Sequence, residues 1–230
     1  MMNHSFLKIG HRGAKGYFAE NTLESIQKAI DLGVDGIEID VHCCASGQLV
    51  VFHDFTLGRM TNGSGEIAKS SLKKLKNLEV NGGFKIPTLD EVVELVDKKC
   101  LLNIELKGRH TALKTCELID NYIIKKGWNY TDFLVSSFQH SELETVHKFN
   151  NKIPLAVLTK ANVEEAIAFA KTINAVAIHP DFAVLTPDNV KLAQAKNFKV
   201  NTWTVNDNDT IKRMKTYGVN GIISDVPDRL

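Results

Sequence analysis

Residues 133–171 read "FLVSSFQHSELETVHKFNNKIPLAVLTKANVEEAIAFAK", and their pattern decides the fold class. "FLVSSF" and "PLAVLT" are short runs rich in apolar and β-branched residues, as strands are. "SELETVHKF" and "NVEEAIAFAK" carry apolar residues at helical spacing. Two strand–helix units thus stand back to back, and the pattern continues in both directions. Downstream, "AVAIHP" leads to "TPDNVKLAQAKN", where Pro187 suits a first helical turn. "KVNTWTV" leads to "DNDTIKRMKTYG", and "GIISD" closes the series. Upstream, "LLNIELK" precedes "TALKTCELIDNYIIKKG", a helix ended by Gly127. "TLDEVVELVDKK" is a helix with Thr88 as N-cap and Leu89, Val92, Val93 and Val96 on one stripe. The first unit pairs the strand "FLKIG" with a helix whose N-cap is read as Asn21, with Glu24 at capping-box spacing.

Counting "GIEIDV" with these gives about eight core strands, most followed by a helix, which predicts an α/β fold of the (β/α)8 TIM-barrel type. An open doubly wound sheet is the alternative. After the second strand, "QLVVFHD" is another extended run. Residues 55–87 then form a Gly-, Asn-, Ser- and Lys-rich excursion with one short helix around residues 72–78. It reads as a small insertion within one domain spanning residues 1–230.

Composition excludes several functions. With 43% hydrophobic and 24% charged residues and a net charge of +1, nothing points to nucleic acid or an anionic membrane as the main partner. No apolar run approaches a membrane span, and "MMNHSFLKIGHRG" lacks a secretory h-region, so a cytoplasmic location is expected. Cys43, Cys44, Cys100 and Cys116 form no C-x-x-C pair and read as free thiols of a reducing compartment.

Strand parity locates the chemistry. In "GIEIDV", Glu38 and Asp40 share one face; in "LLNIELK", Asn103, Glu105 and Lys107 do. Barrel strands are covered on both sides, so paired charges there are costly unless a cation or ligand compensates. Three carboxylates from two strands make an all-oxygen set suited to a hard divalent ion, Mg²⁺ or Ca²⁺, with Mn²⁺ as an alternative. Salt bridging among Glu38, Asp40, Glu105, Arg12 and Lys107 without a metal is the other reading. The charge count favours the ion: −3 from the carboxylates and +2 from the cations leave a bare site that repels anions. A divalent ion brings it to about +1, matched to a phosphodiester. His11 and His53 fall at strand ends, where an imidazole beside such an ion can serve as general acid or base. Trp203 reads equally as barrel core or as an apolar substrate wall.

"HRG" (11–13), "ENT" (20–22), "EID" (38–40) and "HD" (53–54) together resemble the glycerophosphodiester phosphodiesterase family. "TLGRMTNGSG", "IPTLDEV", "NIELK", "SSF", "TWTVN" and "GIISDVP" continue the resemblance in order over nearly the whole chain. The resemblance implies a TIM barrel with an insertion after the second strand. It implies hydrolysis of glycerophosphodiesters, as small-molecule substrates, to sn-glycerol 3-phosphate and an alcohol, with Mg²⁺ or Ca²⁺. By position, it implies metal ligands at Glu38, Asp40 and Glu105 and acid/base histidines at His11 and His53. Phosphate-contacting cations fall on Arg12 and Lys107, and the substrate wall on Trp203. Glu20 and Asn21 fall where the family organises the adjoining loop. The insertion is short and "CCASGQ" replaces the more usual polar run before the strand leading to His53, so the resemblance leaves the head group open. A lysophospholipase D using the same site on lipid-bearing phosphodiesters is the nearest alternative. A non-catalytic phospho-ligand-binding barrel is disfavoured because every motif residue is present.

Overall fold

The computed structural model describes residues 6–230; residues 1–5, which open the stretch read for a secretory leader, lie outside that range. Among the described residues nine strands occur in chain order: β1 (Leu7–His11), β2 (Gly36–Cys43), β3 (Leu49–Val51), β4 (Leu101–Leu106), β5 (Phe133–Ser137), β6 (Leu155–Thr159), β7 (Ala177–Pro180), β8 (Lys199–Thr202) and β9 (Gly221–Ser224). The helices are α1 (Leu23–Asp31), α2 (Leu72–Asn77), α3 (Leu89–Val96), α4 (Ala112–Lys126), α5 (His140–Phe149), α6 (Val163–Thr172), α7 (Pro187–Ala195) and α8 (Asn208–Tyr217). β1 pairs in parallel with both β9 and β2, which closes an eight-stranded barrel and excludes the open sheet. β3 is not a barrel strand. It pairs antiparallel with β2 through Val41↔Val51 and Cys43↔Leu49. The extended run "QLVVFHD" therefore turns back along β2 rather than entering the barrel.

The helices form where caps and apolar stripes agree. Thr88 and Glu91 make a reciprocal capping box on α3, while Leu89, Val92, Val93 and Val96 are fully buried. α4 ends on Gly127 in the left-handed conformation, and α7 begins at Pro187. One expectation is corrected. The N-cap of α1 is Thr22, whose side chain accepts from the Ser25 amide, and not Asn21. Asn21 sits in the left-handed region (φ 59°) because its carboxamide is committed elsewhere. Its Nδ2 donates to Asp40 Oδ2 at 2.9 Å, and its Oδ1 accepts from the Asp40 amide at 3.2 Å.

Among the described residues three apolar clusters hold the fold together. The largest lies between barrel and helices and includes Ile26, Ile39, Val92, Ile104, Val135, Leu143 and Ile178. Each such side chain contributes about 1.5–3 kcal/mol on burial. A second gathers Val50, Phe52, Leu57, Ile67, Leu75, Val80 and Ile86 beneath the excursion that follows β3. The third, Leu134, Ala156 and Ala177 with Leu101 against them, fills the lower lumen. Above it the lumen turns polar, with Asn103, Ser136, His179 and Asn201 all buried. That change marks the end of the barrel where the chemistry sits.

Candidate active site

Glu38, Asp40 and Glu105 converge at the carboxyl end of β2 and β4. The register pairs Asp40 with Glu105 and Glu38 with Asn103, so alternation brings all three carboxylates into the lumen. They are 5%, 1% and 8% exposed. Each offers an oxygen, and those oxygens lie within 4.8 Å of one another. Glu38 Oε1 and Asp40 Oδ1 are buried without a hydrogen-bond partner. Burial, with Asp40 and Glu105 close by, drives the Glu38 carboxyl well above the usual carboxylate range. Burial and the charge of Asp40 push Glu105 up to about 7, against the pull of Lys107. Three buried carboxylates, with Glu38 and Glu105 pushed toward the protonated form and two oxygens unpartnered, form a group that can hold a divalent cation.

The two cations are held against this group. Arg12 sits at φ 51°, followed by Gly13 at φ 86°, where a Cβ would approach the Ser25 backbone to 2.5 Å. Only glycine fits that turn. The turn directs the Arg12 amide to Glu38 Oε2 (3.1 Å) and its guanidinium to Glu20 (2.8 Å) and Asp40 (3.1 Å). The last contact is an ion pair by distance that is not aligned as a hydrogen bond. Lys107 Nζ lies 3.0 Å from Glu105 and 3.7 Å from Asp40.

Each histidine is oriented by a carboxylate. His11, the last residue of β1, places Nδ1 2.6 Å from Asp225 Oδ1 and Nε2 3.9 Å from Glu38 Oε2. His53 places Nδ1 2.6 Å from Asp54 Oδ1. A carboxylate at that distance accepts a hydrogen bond from Nδ1–H, which leaves Nε2 as the acceptor of the neutral ring. Burial pulls both imidazoles below their ordinary pKa, against the hydrogen bonds they donate to Asp225 and Asp54.

Several residues at the site were not singled out from the sequence. Asp225 follows β9 as closely as His11 ends β1, and that shared strand end is the signal that points to it. Asp54 was visible as the neighbour of His53. Arg59 comes from the excursion after β3: its guanidinium grips Asp54 through Nε (2.5 Å) and Nη2 (2.9 Å), and Nη2 also reaches Glu20 at 2.5 Å. No local pattern announces that bridge.

These groups surround a cavity of about 400 Å³ at the barrel mouth. Its lining includes His11, Arg12, Glu38, His53, Glu105 and Lys107, with Phe138, Lys160, Asp181 and Trp203 across the opening. Trp203 is on the wall of this cavity, half-buried, with Nε1 donating to the His179 carbonyl (2.7 Å) and its ring edge-on to Phe138 at 5.6 Å. His179 itself lies deeper, fully buried, pushed down to about 3 by burial, with Nε2 3.1 Å from Asn201.

The fold and the contents of its mouth define a TIM-barrel hydrolase. Residues 11–229 match the model of the glycerophosphoryl diester phosphodiesterase family, and the chain belongs to that family. It is 35% identical to a glycerophosphodiester phosphodiesterase of Caldanaerobacter subterraneus, covering 97% of this chain and 96% of that one. A glycerophosphodiester phosphodiesterase of Bacillus altitudinis is 37% identical, with 96% and 95% covered. Among solved structures, a phosphodiesterase of Oleispira antarctica in complex with the product sn-glycerol-3-phosphate superposes with a TM-score of 0.87 at 28% identity, over 96% of this chain and 93% of that one. No described helix is long and apolar enough to cross a membrane.

Proposed function

We propose that this enzyme hydrolyses glycerophosphodiesters to sn-glycerol 3-phosphate and an alcohol, as a cytoplasmic activity on small molecules. The observation that carries the reading is the buried triad Glu38–Asp40–Glu105, of which Glu38 and Glu105 line the same cavity as His11 and His53. Glu38, Asp40 and Glu105 would hold one divalent cation, Mg²⁺ or Ca²⁺ with Mn²⁺ as an alternative; when bound, it supplies Lewis-acid polarisation of a phosphoryl oxygen. Arg12 and Lys107 place positive charge beside the non-bridging oxygens, where negative charge builds in the transition state. One imidazole accepts the proton of the attacking hydroxyl at Nε2, and the other, protonated, delivers a proton to the departing alkoxide. Asp225 and Asp54 hold both rings so that Nε2 faces the cavity. Trp203 and Phe138 shield the non-reacting carbons of the substrate. Oxygen-18 labelling separates attack by the glycerol 2-hydroxyl, through a cyclic phosphate, from direct attack by water.

A second reading, lysophospholipase D, is favoured by one feature. Phe55 (59% exposed) and Phe138 (36% exposed) flank Lys107 on the rim, offering apolar surface to a lipid-bearing substrate. Release of sn-glycerol 3-phosphate from glycerophosphocholine, with EDTA, Mg²⁺, Ca²⁺ or Mn²⁺, tests the first reading. Turnover of lysophosphatidylcholine in its place would favour the second.

A further inference from the structure

The far wall of the cavity carries two charges that the proposed chemistry leaves unused. β6 and β7 pair with Thr159 opposite Pro180, so the next residue of each strand, Lys160 and Asp181, lie side by side. The Asp181 amide donates to the Thr159 carbonyl at 2.8 Å, which fixes that register. Alternation sends both side chains into the lumen, and both line the cavity beside Phe138 and Trp203. Asp181 Oδ1 accepts from the Ala183 amide at 2.9 Å, so its carboxylate is held in place.

Every other charged side chain on the cavity wall is engaged. Arg12 and Lys107 pair with the triad, and His11 and His53 with Asp225 and Asp54. Lys160 and Asp181 make no ion pair with each other or with any other described residue. The glycerol end of a glycerophosphodiester offers only hydroxyls, so opposite charges on adjacent strands are of no use to it. They complement an alcohol that carries both an ammonium and a carboxylate.

We propose that Lys160 and Asp181 form the subsite for the leaving alcohol and select a zwitterionic one, the chemistry of a serine ester. Lys160 receives its carboxylate and Asp181 its ammonium. The pair contributes no net charge, as the head group contributes none, so the match between the phosphodiester and the site is undisturbed. The inference rests on the cavity being a glycerophosphodiester site.

Its test compares kcat/KM for glycerophosphoserine, glycerophosphoethanolamine and glycerophosphoglycerol in the wild type, Lys160→Met and Asp181→Asn. Asparagine keeps the oxygen that caps Ala183, so the loop is undisturbed. The wild type is expected to prefer the serine ester. Lys160→Met should lower kcat/KM for that ester roughly tenfold, the scale of one charge-assisted contact in a partly exposed site, and leave the ethanolamine ester no worse. Asp181→Asn should lower the serine and ethanolamine esters alike and spare the glycerol ester. A wild type indifferent to head group, one that prefers the ethanolamine ester, or variants that slow all three esters equally would overturn the inference while leaving the hydrolase reading intact. No turnover of any ester by folded, metal-supplied enzyme would overturn both.

Discussion

Replacing Asn21 with alanine should cost far more than a helix cap is worth. The side chain is 2% exposed and makes two hydrogen bonds to Asp40, one to its carboxylate and one from its amide. Losing the bond to the charged carboxylate costs about 1.5–3 kcal/mol, and losing the other about 0.5–1.5 kcal/mol. Alanine at φ 59°, a region that asparagine tolerates, adds about 1–2 kcal/mol of backbone strain. The sum is about 3–6.5 kcal/mol. Thr22→Ala, which removes the N-cap of α1, should cost about 1 kcal/mol. Urea unfolding in EDTA, followed by circular dichroism, measures both at unchanged m. At the size of this chain, each kcal/mol moves the melting temperature by about 2–4 °C, so thermal melts should separate the variants clearly. Were Asn21 the cap, the order would reverse. An Asn21→Ala cost at or below that of Thr22→Ala would refute the structural assignment.

Three further outcomes are expected. His11→Ala and His53→Ala should each lower turnover roughly 100-fold or more with the melt nearly unchanged, and near-normal kcat in either would remove that ring from the mechanism. Glu38→Gln should match or exceed the wild type in melting temperature in EDTA, because burial beside Asp40 and Glu105 makes the Glu38 charge unfavourable. It should also forfeit the metal-induced gain, about 2.7 kcal/mol at a hundredfold excess over Kd in the wild type. An undiminished gain in a metal titration of Glu38→Gln would contradict the ligand assignment. Burial opposes the charge on Glu20, but Arg59 and Arg12 outweigh it and hold the carboxyl down at about 2; Arg59 and His53 hold Asp54 at about 2 despite its partial burial. Both groups are depressed on folding, so their stabilisation is complete above their ordinary range near 4.5 and is lost as pH falls toward 2. Arg59→Met should start less stable at pH 6 and lose less between pH 5 and 2; parallel pH–stability curves would count against the bridge.

The barrel was legible because its signals are local. Strand parity and helical stripes need only neighbouring residues, and Thr88, Gly127 and Pro187 occupy the helix-end positions their chemistry predicts. Parity also put Glu38 and Asp40 on one face and Glu105 and Lys107 on another, and the register of β2 on β4 brings them together. Long-range partners were not legible. "ENT" holds two good caps in succession, and the choice between them is made by Asp40, nineteen residues away. Asp225 meets His11 only because the barrel closes, joining the last strand to the first. "QLVVF" is extended in either direction, so its sequence could not say that β3 runs antiparallel.

That reversal of β3 has a consequence for how the enzyme fails. His11 ends a barrel strand paired on both sides, with β2 and β9, whereas His53 follows a strand whose onward chain is anchored by the small cluster of Phe52, Leu57, Ile67 and Leu75. Sub-global opening proceeds in cooperative units, and a smaller apolar unit opens at lower free energy than the body it leans on. Loosening the excursion would free Arg59, then Asp54, then the His53 ring, with every barrel hydrogen bond still in place. The proposed site is therefore expected to lose its second histidine in a melting transition of its own, set by a few apolar side chains of the small cluster, before the barrel unfolds.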